Sequence, residues 1–269
     1  MTTQHLTVAD LRAARGRRSL TMIRVATWDQ LEAAERAGVD LVSVPPEMMA
    51  DPRFRLAAPT VFAVPAMNFY DLGDSDDFVR WAYRMLRAGA DAVQTSAGLP
   101  TIRRLAEDNI PVIGHIGLTP ARGAWPIDDN AADTTTKSAM SAYLAARALE
   151  AAGAFGAVIE TVAADAAAEI AKRTSLFLIS AGSGSGGDCQ YLVAEDILGE
   201  SRGLRPRHAK AYRDLATEYD RLQADRVAAF AEFVADVGSG AYPGERHLVT
   251  TDPAELARFV EQLEAEDRV

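Results

Sequence analysis

Ala37-Gly38-Val39-Asp40 returns as Ala88-Gly89-Ala90-Asp91 and again, with an aromatic last residue, as Ala152-Gly153-Ala154-Phe155. Each copy reads as a helix end, a glycine stop just past it, and the start of a strand. A unit of this kind repeated along one chain makes parallel strands covered by helices. The surrounding sequence agrees. Strands are read at 20–26, 39–44, 60–64, 90–95, 111–115, 155–160 and 176–180. They are solidly apolar rather than alternating, as strands buried on both faces are. Helices are read at 28–37, 75–88, 99–108, 136–152 and 163–173. Pro45-Pro46 and Pro65 close the second and third strands, because proline cannot continue a ladder. The 269 residues suit a (β/α)8 barrel of roughly 250 residues; a doubly wound open sheet is the competing arrangement. The expectation is a single barrel domain over 1–269 with a C-terminal helical extension. Residues 8–15 would cover one end of the barrel. One long amphipathic helix is read over 206–237. Its stripe of Tyr212, Leu215, Tyr219, Leu222, Val227, Phe230 and Val234 is a packing surface, within the barrel or against another subunit.

Composition narrows the partners. A net charge of −10 argues against nucleic acid and anionic membrane. No apolar run is long enough to span a bilayer, and the N-terminus lacks the apolar core of a signal peptide. The single cysteine, Cys189, excludes an intrachain disulfide and a thiolate metal cage, and no partner base for it as a nucleophile is evident. The setting expected from this is the cytoplasm.

Chemistry in a barrel sits at the carboxyl ends of the strands. The most telling end lies in Pro111-Val112-Ile113-Gly114-His115-Ile116-Gly117-Leu118-Thr119-Pro120. It reads as a short strand that breaks at Gly114, leaves His115 at its tip and runs into a long polar loop over 116–136. The other ends present Arg24, Pro45-Pro46-Glu47, Val64 with Asn68, Gln94-Thr95-Ser96, Glu160 and Ser180. Glu160 closes the apolar strand Ala157-Val158-Ile159 and is therefore partly desolvated, a setting for a general base; a salt-bridged rim residue is the plain alternative. His115 is the second catalytic candidate. Arg24, Gln94, Ser96, Ser180 and, in the loop after His115, Arg122 are candidates for binding substrate, the guanidinium groups by pairing with a carboxylate. The Gly/Ser turn over 180–187 could cradle a phosphate or serve only as a flexible connection. No metal constellation is evident; Glu47 alone is a weak case, since Mg²⁺ sites use several oxygen ligands.

The chain resembles the ketopantoate hydroxymethyltransferase family, whose barrel is of the phosphoenolpyruvate mutase/isocitrate lyase type. The resemblance is carried by Ala37-Gly38-Val39-Asp40, Ala90-Asp91-Ala92-Val93, Gly114-His115-Ile116-Gly117-Leu118-Thr119-Pro120, Glu150-Ala151-Ala152-Gly153-Ala154-Phe155 leading to Glu160, Asp196-Ile197-Leu198-Gly199, and Gly240-Ala241-Tyr242-Pro243 with Glu245 and His247. It implies a (β/α)8 barrel assembled as a homo-oligomer, a decamer in the family. It also implies transfer of a hydroxymethyl unit from methylenetetrahydrofolate to a 2-oxo acid held by Mg²⁺, with the base at Glu160 and a substrate contact at His115. The chain departs from the family's pattern where Pro45-Pro46-Glu47 and Val64 replace the metal-binding aspartates and Gln94-Thr95-Ser96-Ala97-Gly98 replaces Lys-Leu-Glu with two glycines. The segment between strands 2 and 3 is too short for the family's helix. The expectation is thus a shortened barrel with a remodelled, metal-free site. It would act on a small 2-oxo acid or related carboxylate by C–C bond formation or cleavage, or by proton transfer, with no cofactor beyond the folate the resemblance implies. A non-catalytic binding or assembly homologue is an alternative. So is the parent activity with relocated ligands such as Glu47.

Overall fold

The computed structural model describes residues 5–66, 73–118, 134–203 and 205–267. The chain divides into two units, 1–214 and 215–269.

The first unit holds eight parallel strands: β1 Leu20–Arg24, β2 Leu41–Val44, β3 Phe62–Pro65, β4 Val93–Gln94, β5 Val112–Gly117, β6 Gly156–Glu160, β7 Phe177–Ala181 and β8 Cys189–Val193. Their order is β3-β2-β1-β8-β7-β6-β5-β4. A parallel bridge between Ala66 and Gln94, with the Asp91 N–H donating to the Ala63 carbonyl at 2.9 Å, joins the two ends. The sheet therefore closes into the (β/α)8 barrel expected, not an open doubly wound sheet.

Helices α1 Val8–Ala14, α2 Trp28–Ala37, α3 Pro46–Ala50, α4 Phe54–Ala57, α5 Ser75–Arg87, α6 Leu99–Glu107, α7 Thr136–Ala151, α8 Ala164–Ala171 and α9 Ala194–Leu198 complete the unit. The link between β2 and β3 carries only the two short helices α3 and α4. Side chains alternate across the wall. Leu20, Met22, Leu41, Phe62, Val64, Ala92, Ile113, Val158, Phe177, Ile179 and Cys189 fill the interior. Val42, Val44, Ala63, Val93, Val112, Ala157, Ile159 and Leu178 face the helices. Leu11 of α1 is fully buried in the interior cluster, so α1 plugs the amino-terminal end of the barrel, with Thr7 capping it.

Three local readings need correction. The fifth strand does not break at Gly114; it runs to Gly117, and Gly114 pairs with Ala157 of β6. The glycine is there for packing, because a Cβ would stand 2.7 Å from Leu149 Cδ2 of α7. His115 consequently lies within the strand, not at its tip. The strand β8 lay hidden in the sequence, since Gln190 and Tyr191 interrupt its apolar character. No helix separates it from β7, and Cys189 pairs with Ile179 only two residues before the end of β7, so the turn over 182–188 suffices as a return. Finally, the long helix starts at Leu215, not at 206: the preceding segment makes a turn, with the Ala209 N–H donating to the Pro206 carbonyl at 2.9 Å, and is held by the Tyr212 N–H donating to the Ile197 carbonyl at 2.8 Å.

The second unit consists of α10 Leu215–Ser239, a 3-10 turn Glu245–His247 and α11 Pro253–Glu266. Asp252 caps α11 by accepting from the Ala254 and Glu255 N–H groups. Of the expected stripe, Tyr212 precedes α10 and Leu215 is half-buried, while on the helix Phe230 is 72% and Val234 68% accessible. No helix among the described residues is long and apolar enough to cross a membrane.

Candidate active site

Above the packed interior the inward side chains turn polar. Arg24 ends β1, Ser43 lies on β2, Gln94 ends β4, His115 is on β5, Glu160 ends β6, and Tyr191 is on β8. Arg24 pairs in register with Ser43, and Tyr191 pairs with Met22, two residues before Arg24. These residues line the carboxyl-terminal mouth, where barrel chemistry sits.

Its centre is a chain of three side chains from neighbouring elements. His115 Nε2 lies 2.9 Å from Glu160 Oε2, and Ser96 Oγ lies 3.3 Å from His115 Nδ1. The strand register explains the first contact. Gly117 pairs with Glu160 and His115 with Val158, so His115 and Glu160 are diagonal neighbours on one face. A carboxylate only accepts, so the Nε2–H of His115 donates to Glu160 and Nδ1 is left to accept from the Ser96 hydroxyl. The His115 side chain is 3% exposed and that of Glu160 30%. The imidazole is sealed, while the carboxylate reaches the mouth.

The backbone fixes Glu160 tightly. The Leu118 N–H donates to its carbonyl at 3.1 Å. Gly117, at φ 87°, passes so close that a Cβ there would meet the Glu160 carbonyl oxygen at 2.2 Å. Thr161 sits at φ 52°, an uncommon conformation for a β-branched residue and one that concentrates at functional sites. Ser183, fully buried, donates to the Ile159 carbonyl at 2.9 Å and accepts from the Val162 N–H at 3.0 Å, tying the end of β6 to the Gly/Ser turn.

That turn is itself filled. A Cβ on Gly184 would stand 2.5 Å from Ala164 Cβ and one on Gly186 2.7 Å from Ala168 Cα. The glycines are there so that the turn can lie against α8, and they form no open phosphate cradle. Ser180 is the other correction. Its neighbours Ile179 and Ala181 face the interior, so Ser180 faces outward, where its hydroxyl donates to the Gly184 carbonyl at 2.7 Å. It holds the turn and does not line the mouth. Arg122 and Asn68 lie outside the described residues.

Tyr191 and Ser43 were not singled out from sequence. Burial pushes the Tyr191 phenol above its usual range, opposed by Ser43 and by the charge of Arg24 and reinforced by that of Glu160. The phenol therefore stays protonated within electrostatic reach of Arg24 and Glu160. Ser43 Oγ and Gln94 Oε1 are both buried without a regular hydrogen-bond partner. The strand β8 carrying Tyr191 was itself unread, which is why this residue escaped notice. Where metal-binding carboxylates would stand, Val64 is fully buried in the interior. Glu47 lies exposed at the start of α3. Among the described residues no three His, Cys, Asp or Glu side chains gather as a metal site.

Residues 47–245 match the model of a protein family described as ketopantoate hydroxymethyltransferase. The chain belongs to that family. A 3-methyl-2-oxobutanoate hydroxymethyltransferase of Chloroflexus aurantiacus is 31% identical over 276 residues, covering 94% of this chain and 95% of that protein. One of Chloroflexus aggregans is 32% identical over 282 residues, covering 96% and 98%. Both names denote C–C bond-forming transferases. Among solved structures, the carboxyl transferase domain of Rhizobium etli pyruvate carboxylase with 3-hydroxypyruvate superposes with a TM-score of 0.53 at 14% identity, over 72% of this chain and 43% of that one, a likeness of fold alone.

Proposed function

We propose that the protein is a C–C bond-forming transferase of ketopantoate hydroxymethyltransferase type that acts on a small 2-oxo acid without Mg²⁺. The observation that carries this is the Glu160 carboxylate, held 2.9 Å from a sealed histidine and open to the mouth. A base so placed takes a proton from the carbon next to the keto group. Arg24 pairs with the substrate carboxylate. The protonated Tyr191 phenol and the Arg24 charge stabilise the negative charge that develops on the keto oxygen. The one-carbon unit would come from methylenetetrahydrofolate, as the family resemblance implies. The described residues do not fit Mg²⁺, which takes octahedral oxygen ligands: among them the mouth offers uncharged Ser43 and buried Val64 at β2 and β3, and Glu47 joins no cluster of candidate ligands. The reading with relocated ligands therefore finds no support in the donor set of the described residues. We propose also that the protein self-associates through the apolar stripe of α10, since exposed apolar patches of this kind mark interfaces.

The test is proton exchange at the substrate carbon. In D2O, 3-methyl-2-oxobutanoate should lose its 3-proton signal when the protein is added, at a rate unchanged by EDTA. Loss of exchange with chelator and its recovery with Mg²⁺ or Co²⁺ would overturn the metal-free reading. No exchange, together with a flat melting response to 2-oxo acids, folates and small aldehydes, would favour a non-catalytic homologue.

A further inference from the structure

The three-residue chain at the mouth has a second chemical meaning. A hydroxyl bonded to an imidazole whose far nitrogen is held by a carboxylate is the arrangement of an activated nucleophile, and such arrangements are recognised by geometry and role rather than by fold. Here Ser96 Oγ is 3.3 Å from His115 Nδ1 and His115 Nε2 is 2.9 Å from Glu160 Oε2. The first distance is long, as such contacts often are before a substrate is bound. The exposures are graded as the role requires. Ser96 is half-buried at the mouth, and the His115 ring is 3% exposed. Ser96 lies just before α6, whose N-cap Gly98 brings no side-chain cap. In its first turn Pro100 has no N–H and the Thr101 and Ile102 N–H groups donate to the Gly98 carbonyl at 3.0 and 3.2 Å, so the helix offers Ser96 the positive end of its dipole.

We propose that Ser96, His115 and Glu160 form a nucleophilic triad that gives this barrel an acyl-transfer activity toward small esters or thioesters bearing a carboxylate. The Ser96 oxygen forms a bond to the acyl carbon while its proton passes to His115 Nδ1. Glu160 steadies the resulting imidazolium through Nε2–H. The carbonyl electron pair moves onto the oxygen, on the side of the positive end of the α6 dipole. The C–O or C–S bond then breaks, and the leaving group takes the proton from Nδ1. Water, deprotonated by the same nitrogen, releases the acid and restores the serine. Arg24, across the mouth, selects a carboxylate on the acyl part. The activity is independent of the C–C reading: there Glu160 accepts a proton from carbon, whereas here it only orients His115.

The experiment needs no natural substrate. The full-length protein is treated with a fluorophosphonate probe and, separately, with p-nitrophenyl acetate, and the modified peptide is located by mass spectrometry. Labelling of Ser96, with a p-nitrophenol burst equal to the protein concentration, is the expected result. His115→Asn should slow both by about 10²–10⁴-fold, and Ser96→Ala should abolish the label. A melting curve shows that each variant is folded; should His115→Asn fail to fold, Glu160→Gln takes its place, with slower labelling expected. Label on another residue, no label, or labelling of Ser96 that persists unchanged in the histidine or glutamate variant would overturn the proposal and leave Ser96 a structural hydrogen-bond donor.

Discussion

Glu160→Gln separates chemistry from stability at one atom. The amide keeps the shape of the carboxylate, and its oxygen can still accept the His115 Nε2–H now 2.9 Å away. What changes is the loss of charge. A hydrogen bond to a charged group contributes about 1.5–3 kcal/mol and a neutral one about 0.5–1.5, so the substitution should cost about 1 kcal/mol. The side chain is 30% exposed, and solvent screening lowers that figure further. In a chain of this size about 1 kcal/mol corresponds to a melting shift of about 2–4 °C. The rate is another matter. An amide accepts no proton from carbon, and losing a general base slows reaction by about 10²–10⁴-fold, or about 2.7–5.4 kcal/mol of barrier. The assay pairs a thermal melt with deuterium exchange of 3-methyl-2-oxobutanoate on the same preparation. A drop in melting temperature well beyond 4 °C (the upper end of that estimate), with exchange intact, would refute the base and make Glu160 a structural partner of His115.

Gly117→Ala should be far more damaging than Gly38→Ala. Both glycines have positive φ, 87° and 75°, and each alanine bears roughly 1–2 kcal/mol for that, but only at 117 would the Cβ meet a backbone oxygen at 2.2 Å, with nothing within 4 Å at 38; comparable melting losses would refute the close approach. Burial pushes the Cys189 thiol above its ordinary 9.0 and the Tyr191 phenol above its ordinary 10.0. The unfolded chain therefore gives up these protons first, and stability should hold below pH 9 and decline as pH rises beyond it; Cys189→Ala should lessen the decline, and an unchanged pH profile would count against it. Phe230→Asp places a charge on a residue that is 72% exposed, so it should leave the fold intact and lower the mass seen by light scattering, whereas an unchanged mass would locate self-association elsewhere.

The barrel was legible in the sequence because a closed parallel sheet imposes its demands residue by residue. Glycine stops the helices of the repeated unit, as at Gly38 and Gly153, and strands covered on both faces must be apolar throughout, as Ala157-Val158-Ile159 is. His115 and Glu160 were legible for a related reason: an ionisable side chain in an otherwise apolar strand stands out. Sequence could not assign Gly114, because a glycine that breaks a strand and one that makes room for Leu149 look alike until α7 is in place. Nor could it read β8, whose Gln190 is exposed where no helix follows β7 and whose Tyr191 faces the mouth. The alternation that turns Ser180 outward and Tyr191 inward depends on where each strand starts, and a shift of one residue reverses every side chain. The contact of Ser96 with His115 joins residues on β5 and on the loop after β4, and the register of β4 against β5 had to be set before that hydroxyl could meet the imidazole. Local chemistry thus named the parts of the mouth, and only strand register decided which of them face one another.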